Sequence, residues 1–441
     1  MRSSFDGVAA DEAAVTGWRR TFSALENPDY RMLWIGMSFS FMSRQMHIIA
    51  RGLLAYRLEG NAASLGLVTI AWGIPLLVFS LFGGVVADRA EKRDLLIWSQ
   101  AVLGATVLAI AVLVQADMIQ LWHLILVGVV QGTVFAFNMP SRQALVPELV
   151  KERDLLNAIA LNSAAQNFTR VVGPALAGGL IAVPFIGFRG AYYLMAFFYL
   201  VVILTLVRLP KTGPAHRERA PMLSQMASGI RYIRGSRILM ILLALAFVPI
   251  VLGAPYTVLL PVFAEDVFDV GAAGLGVMGV AAGLGAVIGS LVIASLTDFP
   301  RRMFLQLACG VGFGVTLVLL GASGMFGLAL LALAFIGMSS QGYLSLNNTM
   351  VLGSTQPAFH GRVMSVYMMS WSLMPVAALP MAALADIVGV QATVAGAGGI
   401  VALTFVAVGS LFPELRRLDE APAEVAIADG PTRPAGGSPG G

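Results

Sequence analysis

Twelve stretches of this chain are apolar almost from end to end, at about 32–56, 65–87, 95–115, 120–140, 156–184, 190–207, 238–263, 273–296, 303–322, 326–347, 363–385 and 391–412. Each is close to the ~20 residues that a helix needs to cross the ~30 Å hydrocarbon layer of a bilayer. Charged and polar residues gather between them, so the pattern predicts an all-α membrane protein of twelve transmembrane helices. The same pattern divides the chain into a tail (1–31), a first six-helix bundle (32–207), a linker (208–237), a second six-helix bundle (238–412) and a Pro-, Ala- and Gly-rich tail (413–441) expected to be disordered. Within the linker, Met222 to Arg237 reads as a short amphipathic helix on the membrane face, its basic residues toward anionic lipid.

Composition strengthens this picture. Of 441 residues, 58% are hydrophobic and 12% charged, with a mean hydropathy of +0.82. The charged share is half the ~25% of soluble proteins, which excludes water as the solvent for most of the chain. The 48 glycines and 21 prolines are scattered through the spans, a usage that membrane bundles tolerate. Cys309 is the only cysteine and there are four histidines. No disulfide framework, metal site or cofactor is expected, and an enzyme is the least favoured class.

The net charge of +4 and pI of 9.4 would suggest nucleic acid in a soluble protein. Position changes that reading. With the N-terminus cytoplasmic, all 28 lysines and arginines except Arg44, Arg51, Arg57, Arg170 and Arg189 fall in cytoplasmic tails and loops. This is the positive-inside asymmetry, so both termini are expected in the cytoplasm of a cell that inserts the chain in its inner membrane. The bilayer, and no nucleic acid, is the expected partner of the charge. The first 31 residues hold Asp6, Asp11, Glu12 and Glu26 and no apolar core of the signal-peptide kind; the first span is expected to do the targeting.

Sliding the chain by 210 residues aligns Asp88 with Asp298, Lys92 with Arg302, Gln131-Gly132 with Gln341-Gly342, Asn138 with Asn348 and Pro147 with Pro357. The shift also lays the second span on the eighth and the fourth on the tenth. Parallel six-span repeats allow a site between two halves to open alternately to either side.

Gly84-Val-Val-Ala-Asp88-Arg89-Ala-Glu-Lys92-Arg93 resembles the signature G-x-x-x-D-R-x-G-R-[RK] of the major facilitator superfamily, with Glu91 where a glycine is usual. Phe22-x-x-Leu25-x-Asn27-x-x-Tyr30-Arg31-x-Leu33-Trp34, Pro140-x-Arg142-Gln143-Ala-Leu-Val146-Pro147-Glu148-Leu149, Asn157-Ala-Ile-Ala-Leu-Asn162-Ser163 and Arg170-Val-Val-Gly173-Pro174 are similar to the branch holding enterobactin-type exporters. The resemblance spans residues 22 to about 412. It implies a facilitator fold and a gating role for Gly84, Asp88, Arg89, Lys92, Arg93, Asp298, Arg301 and Arg302, a latch that holds the outward-facing state. The alternative is that these charges only orient the chain. Gly173-Pro174 with Gly178-Gly179 resembles the exporters' G-P-x-x-G-G with one extra residue, implying a hinge; simple packing is the alternative.

Charges inside a membrane are costly and normally face a cavity or a partner. On the first span Arg44, His47 and Arg51 share a face, with Gln45 beside them; on the fifth, Asn162, Gln166 and Arg170 do. Both stripes are expected to line a substrate cavity, completed by Gln341, Asn348 and Trp371, with Asn347 and Tyr367 nearby. For the C-terminal residues interhelical bonding is the alternative. His47 is either a titratable coupling site or a neutral, hydrogen-bonded histidine, and Arg51 either a ligand or a chain that snorkels to the rim. All 24 acidic residues lie in tails, loops or span ends. Buried charges that are all basic suit an anionic or strongly hydrogen-bonding solute, since arginine cannot deprotonate in such a role. The expectation is thus a monomeric secondary transporter exporting an anionic or amphipathic small molecule, with protons or another coupling ion. Uptake of an anionic metabolite, or a non-transporting receptor on the same scaffold, is the alternative. No G-x-x-x-x-G-K-[ST] nucleotide loop is present.

Overall fold

The computed structural model describes residues 22–211, 213, 222–296 and 299–412, without the side chains of 81–85, 87–89 and 222–226. Residues 1–21 of the expected first tail, the whole of the second tail and Asp298 therefore fall outside the described residues, as does the surface of positions Gly84, Asp88 and Arg89; residues 28–31 of the expected tail already belong to α1. Thirteen helical segments follow one another: α1 Pro28–Glu59, α2 Ala62–Arg89, α3 Lys92–Gln115, α4 Leu121–Leu149, α5 Leu155–Ala182, α6 Gly187–Val207, the linker helix α7 Met222–Arg234, α8 Arg237–Val267, α9 Gly271–Ser295, α10 Arg302–Ala322, α11 Phe326–Gly353, α12 Pro357–Val388 and α13 Val390–Leu411. Described residues form no strand.

Ten of these are long and apolar enough to cross a membrane by length and composition. The two other long helices, α1 and α5, are the ones carrying the polar stripes. Their deviation from plain hydrophobicity is the mark of a lined interior. Local chemistry sets the ends. Asn27 caps α1 by accepting from the backbone N–H of Asp29 (2.9 Å) and Tyr30 (3.2 Å), and Gly60 closes it in the left-handed region at φ 67°. α8 is interrupted by π-helical turns at Pro249–Gly253 and Phe263–Val267, and α12 by a break after Trp371.

α4 runs on through Pro140 and Pro147 to Leu149, beyond the expected end near 140. Proline removes one N–H but does not end a helix whose neighbours satisfy the freed carbonyl. The extra turns make Arg142, which reads as a loop charge in the sequence, a residue of the bundle.

Helices meet through small residues. A Cβ on Gly132 of α4 would sit 2.1 Å from Trp72 O of α2, and one on Gly337 of α11 would sit 2.0 Å from Ala282 O of α9. These are equivalent helix pairs in the two halves. Between halves, α5 packs on α9 and α2 on α12: Gly178 faces Gly276, Gly279 faces Pro174, Gly66 faces Leu379 and Gly73 faces Pro375. These approaches between halves lie in the parts of the helices away from the face that carries Pro28 and Leu411, here termed the terminal face. The linker helix α7 lies at the terminal face against α12, with Tyr232 stacked on Phe359 (4.2 Å) and Gly229 against Arg362.

Gly132→Ala should lower the melting temperature in detergent, because the added methyl meets a backbone carbonyl. Gly179, where an added Cβ would meet nothing within 4 Å, should accept alanine and gain up to ~1 kcal/mol of helix propensity. Equal melting of the two variants would contradict the packing described.

Candidate functional site

Three guanidinium groups of the first half lie near one another. Arg44 of α1 is exposed to the interior and lies over the Phe135 ring of α4, 4.8 Å from its centroid. Arg170 of α5, also exposed, donates from Nη1 to Gln341 Oε1 of α11 at 3.2 Å, a bond that joins the two halves. Arg142 of α4 donates to Asn138 Oδ1 (2.9 Å) and Ser40 Oγ (3.2 Å) and lies over Phe41, 4.9 Å from the centroid. Arg44 is close enough to feel the charge of both others, and Tyr199 lies near Arg44 and Arg142, Tyr256 near Arg170. Among the described residues none of the three makes an ion pair. Aromatic faces, hydroxyls and amides hold them instead, interactions worth ~0.5–2 kcal/mol each, well short of neutralising a charge in a low-dielectric site.

Arg142 belongs to a polar chain inside the first half. Asn138 Nδ2 donates to Ser99 Oγ (2.6 Å), and Ser40 Oγ and the Gln100 amide bond one another (3.2–3.3 Å). Beside them lies a small cavity of about 10 Å³ lined by Leu33, Met37, Leu96, Gln100, Arg142, Val202 and Leu206, about the least volume that holds a water. Sequence reasoning missed Arg142 because it ended the fourth span at Pro140. The usable signal was its spacing from Asn138, one turn along the same helix.

The expected α1 stripe divides. Arg44 faces the interior space, but His47 (6% exposed) and Arg51 (8%) turn into the packed first half, where His47 meets Tyr192 edge-on at 5.8 Å. Arg51 does not reach the rim. Gln45 lies in the α1–α5 seam, where a Cβ on Gly173 would sit 2.4 Å from its Cβ. On α5, Gln166 is exposed one turn before Arg170, while Asn162 Oδ1 accepts from the Tyr30 hydroxyl (3.4 Å). In the second half, Gln341 reaches Arg170 and Trp371 is 41% exposed at the break in α12. Asn348 is half-buried with its Oδ1 unpartnered among described residues. Asn347 serves packing: its Nδ2 donates to Leu242 O (3.2 Å) and Tyr343 Oη (2.8 Å). Tyr367 is buried.

Of the residues that carry the resemblance, several have described partners. Lys92, 1% exposed, pairs with Glu148 at 2.7 Å and donates to Gly213 O; Arg93 donates to Leu206 O (3.1 Å) and Val207 O (2.6 Å), a cation on the C-terminal carbonyls of α6. All four interactions stay within the first half and its linker. Arg301 and Arg302 are exposed at the start of α10. Asn27 Nδ2 donates to Leu149 O (2.6 Å), the Tyr30 hydroxyl to Ala158 O (2.8 Å) and Trp34 Nε1 to Leu161 O (3.1 Å), tying α1 to the ends of α4 and α5. α5 passes unbroken through Pro174; Gly173 and Gly178 are points of close helix approach, and Gly179 stands in open space.

The face opposite the termini is closed by three carboxylates of the second half. Glu265 Oε1 pairs with Arg57 Nη2 (2.7 Å), Asp266 accepts from the Tyr56 hydroxyl, and Asp386 accepts from the backbone N–H of Ala62 (2.6 Å) and Ala63 (2.8 Å), capping α2 from across the interface. Beneath this seal and the glycine contacts, Arg44, Gln166 and Arg170 are exposed. None of the three carboxylates figures in the residues expected from sequence; their position at span ends was the available signal.

A family profile described as transmembrane secretion effector matches residues 19–429. Macrolide efflux protein A of Streptococcus pyogenes is 23% identical over 394 residues, 88% of this chain and 96% of its own. The enterobactin exporter EntS of Escherichia coli O157:H7 is 24% identical over 419 residues, 94% of this chain and 99% of its own. A crystal structure of a point mutant of the nucleoside transporter NupG superposes with a TM-score of 0.71 at 13% identity, covering 86% of this chain and 99% of that one.

The seal sets an expected conformational effect. With spin labels on Glu59→Cys and Asp269→Cys in a Cys309→Ala background, Asp386→Asn combined with Glu265→Gln should move the distance distribution toward longer values. The exposed pair is worth ~0.2–1 kcal/mol and the helix-end carboxylate ~0.3–1 kcal/mol, so a several-fold population change is expected. An unchanged distribution would show that these carboxylates do not hold the face closed.

Proposed function

The chain belongs to the transmembrane secretion effectors of the major facilitator superfamily, a secondary transporter of the efflux type, and from that premise we propose that it exports an anionic or amphipathic solute across the inner membrane. The observation that carries the cargo's charge is the set Arg44 and Arg170, both exposed, with Arg142 near Arg44 inside the first half, and no carboxylate paired to any of the three among the described residues. A fixed positive site repels a cationic drug and attracts a carboxylate, catecholate or phosphate. Export, rather than uptake, is supported by the efflux proteins this chain resembles, and a siderophore-like metabolite by its likeness to the enterobactin exporter.

In this reading the terminal face is cytoplasmic, as the distribution of lysine and arginine supports, and the conformation described is the inward-facing one. The solute enters from the cytoplasm and meets Arg44, Gln166 and Arg170, with Trp371 on the far wall. Its negative group takes the place of water around the guanidiniums, and its bond to Arg170 competes with Gln341 for the same N–H groups. Closing of the cytoplasmic side is then coupled to release of Glu265, Asp266 and Asp386 at the outer seal, by rocking of one six-helix half on the other. Of the cluster expected to act as a latch, Lys92, Arg93, Arg301 and Arg302 stand at the starts of α3 and α10, on the side that must close in the outward-facing state. The energy comes from a proton or other ion gradient, and the unit of transport is the monomer.

Hydrogen bonds to charged groups are worth ~1.5–3 kcal/mol, about ten- to a hundredfold in affinity. In proteoliposomes, Arg44→Gln and Arg170→Gln should each lower flux of an anionic substrate at least tenfold with normal insertion and melting. Unchanged flux in both variants would refute the assignment of the cavity.

A further inference from the structure

The two residues that leave the α1 stripe form a second polar cluster, separate from the central cavity. His47 and Arg51 of α1 and Tyr192 of α6 are 6%, 8% and 0% exposed. The His47 and Tyr192 rings meet at 78°, and the Arg51 charge acts on both side chains. Four buried polar atoms here have no hydrogen-bond partner among the described residues: His47 Nδ1, His47 Nε2, Arg51 Nε and Tyr192 Oη. Gln131 of α4 approaches His47 without hydrogen-bond geometry, and its amide nitrogen is committed to Thr106 Oγ1 at 3.0 Å.

Buried polar atoms are almost always paired, so four orphans in one place point to an occupant. Its chemistry follows from the groups. Arg51 Nε–H and the Tyr192 hydroxyl are donors, and a neutral imidazole supplies one more. Arg51 makes no ion pair among the described residues, and a guanidinium keeps its charge. A cation is repelled. A water would satisfy the donors but would leave a buried charge uncompensated, the costlier arrangement in a low-dielectric interior. Burial limits the size: with His47, Arg51 and Tyr192 all under a tenth exposed, the occupant to consider is a one-atom or comparably small ion. Arg51 stands seven residues beyond Arg44, roughly 10 Å along the helix.

We propose that Arg51, Tyr192 and His47 bind a small monovalent inorganic anion, chloride in the cell, as an internal counter-ion between α1 and α6. The site does not depend on the identity of the exported solute. It would let α1 bury a permanent charge six residues before Arg57, which holds the outer seal.

The test is thermal unfolding of the purified full-length protein in detergent, titrated with sodium chloride against sodium gluconate at constant ionic strength. Wild type should show a saturable rise in Tm of a few degrees in chloride. Arg51→Gln should abolish the chloride increment, Tyr192→Phe should raise the half-saturating concentration, and Arg44→Gln should keep the wild-type response. If Arg51→Gln does not fold, Tyr192→Phe and His47→Leu carry the same comparison. Crystals of wild type grown in bromide should show anomalous density within hydrogen-bond distance of Arg51. Equal Tm in chloride and gluconate, or a chloride increment that survives in Arg51→Gln, overturns the proposal. So does a response lost in Arg44→Gln and kept in Tyr192→Phe, which would place the anion in the central cavity.

Discussion

A guanidinium cannot shed its proton under cellular conditions, so each one carried into a membrane must be met by an anion, an array of dipoles or a route to water. The arginines of this chain meet that demand in different ways according to depth. At the sealed face Arg57 takes Glu265. At the terminal face Arg93 caps the carbonyls that end α6. In between, Arg44, Arg142 and Arg170 have only rings, hydroxyls and amides. Partners that complete the charge are supplied at the two ends and, among the described residues, withheld in the middle, and the proposed cargo site rests on that contrast.

The scaffold that holds these charges apart is built from small residues. Gly132 against Trp72 and Gly337 against Ala282 bring helices within each half to backbone contact, and Gly178 against Gly276 does so between halves. The close approaches between halves run along α5–α9 and α2–α12. The repeat is a repeat of scaffold and not of chemistry. Gln131 is buried and tied to Thr106, whereas its counterpart Gln341 reaches into the interior to Arg170. Asn138 anchors Arg142, whereas the Asn348 carbonyl has no partner among the described residues. Positive charge is concentrated on the first half, and the second supplies the neutral wall and the acidic seal.

The long apolar helices and the amphipathic linker helix were legible in the sequence, because hydrophobic length is dictated by bilayer thickness and little else competes with it. Arg44, Gln166, Arg170 and Gln341 were legible as polar groups within spans, and the Arg170–Gln341 bond brings two of them together across the halves; their role toward cargo belongs to the proposal. The inward turn of His47 and Arg51 was not. A shared face at i, i+3 and i+7 is broad, and tertiary packing decides which edge of it meets the cavity. Arg142 was hidden by the habit of ending helices at proline, a rule for water that membrane neighbours suspend. The carboxylates of the seal were visible only as span-end charges, since pairing across two halves is a property of the assembled bundle.

The central claim is that the interior selects for negative charge. It is tested most directly by equilibrium binding of the purified wild-type protein to three amphipathic probes of one skeleton bearing a carboxylate, the matching neutral amide or a quaternary ammonium. The account predicts that the carboxylate binds at least about tenfold more tightly than the amide, the worth of one charge-assisted hydrogen bond, and that the ammonium binds weakest. Ammonium binding as tight as carboxylate binding would contradict it.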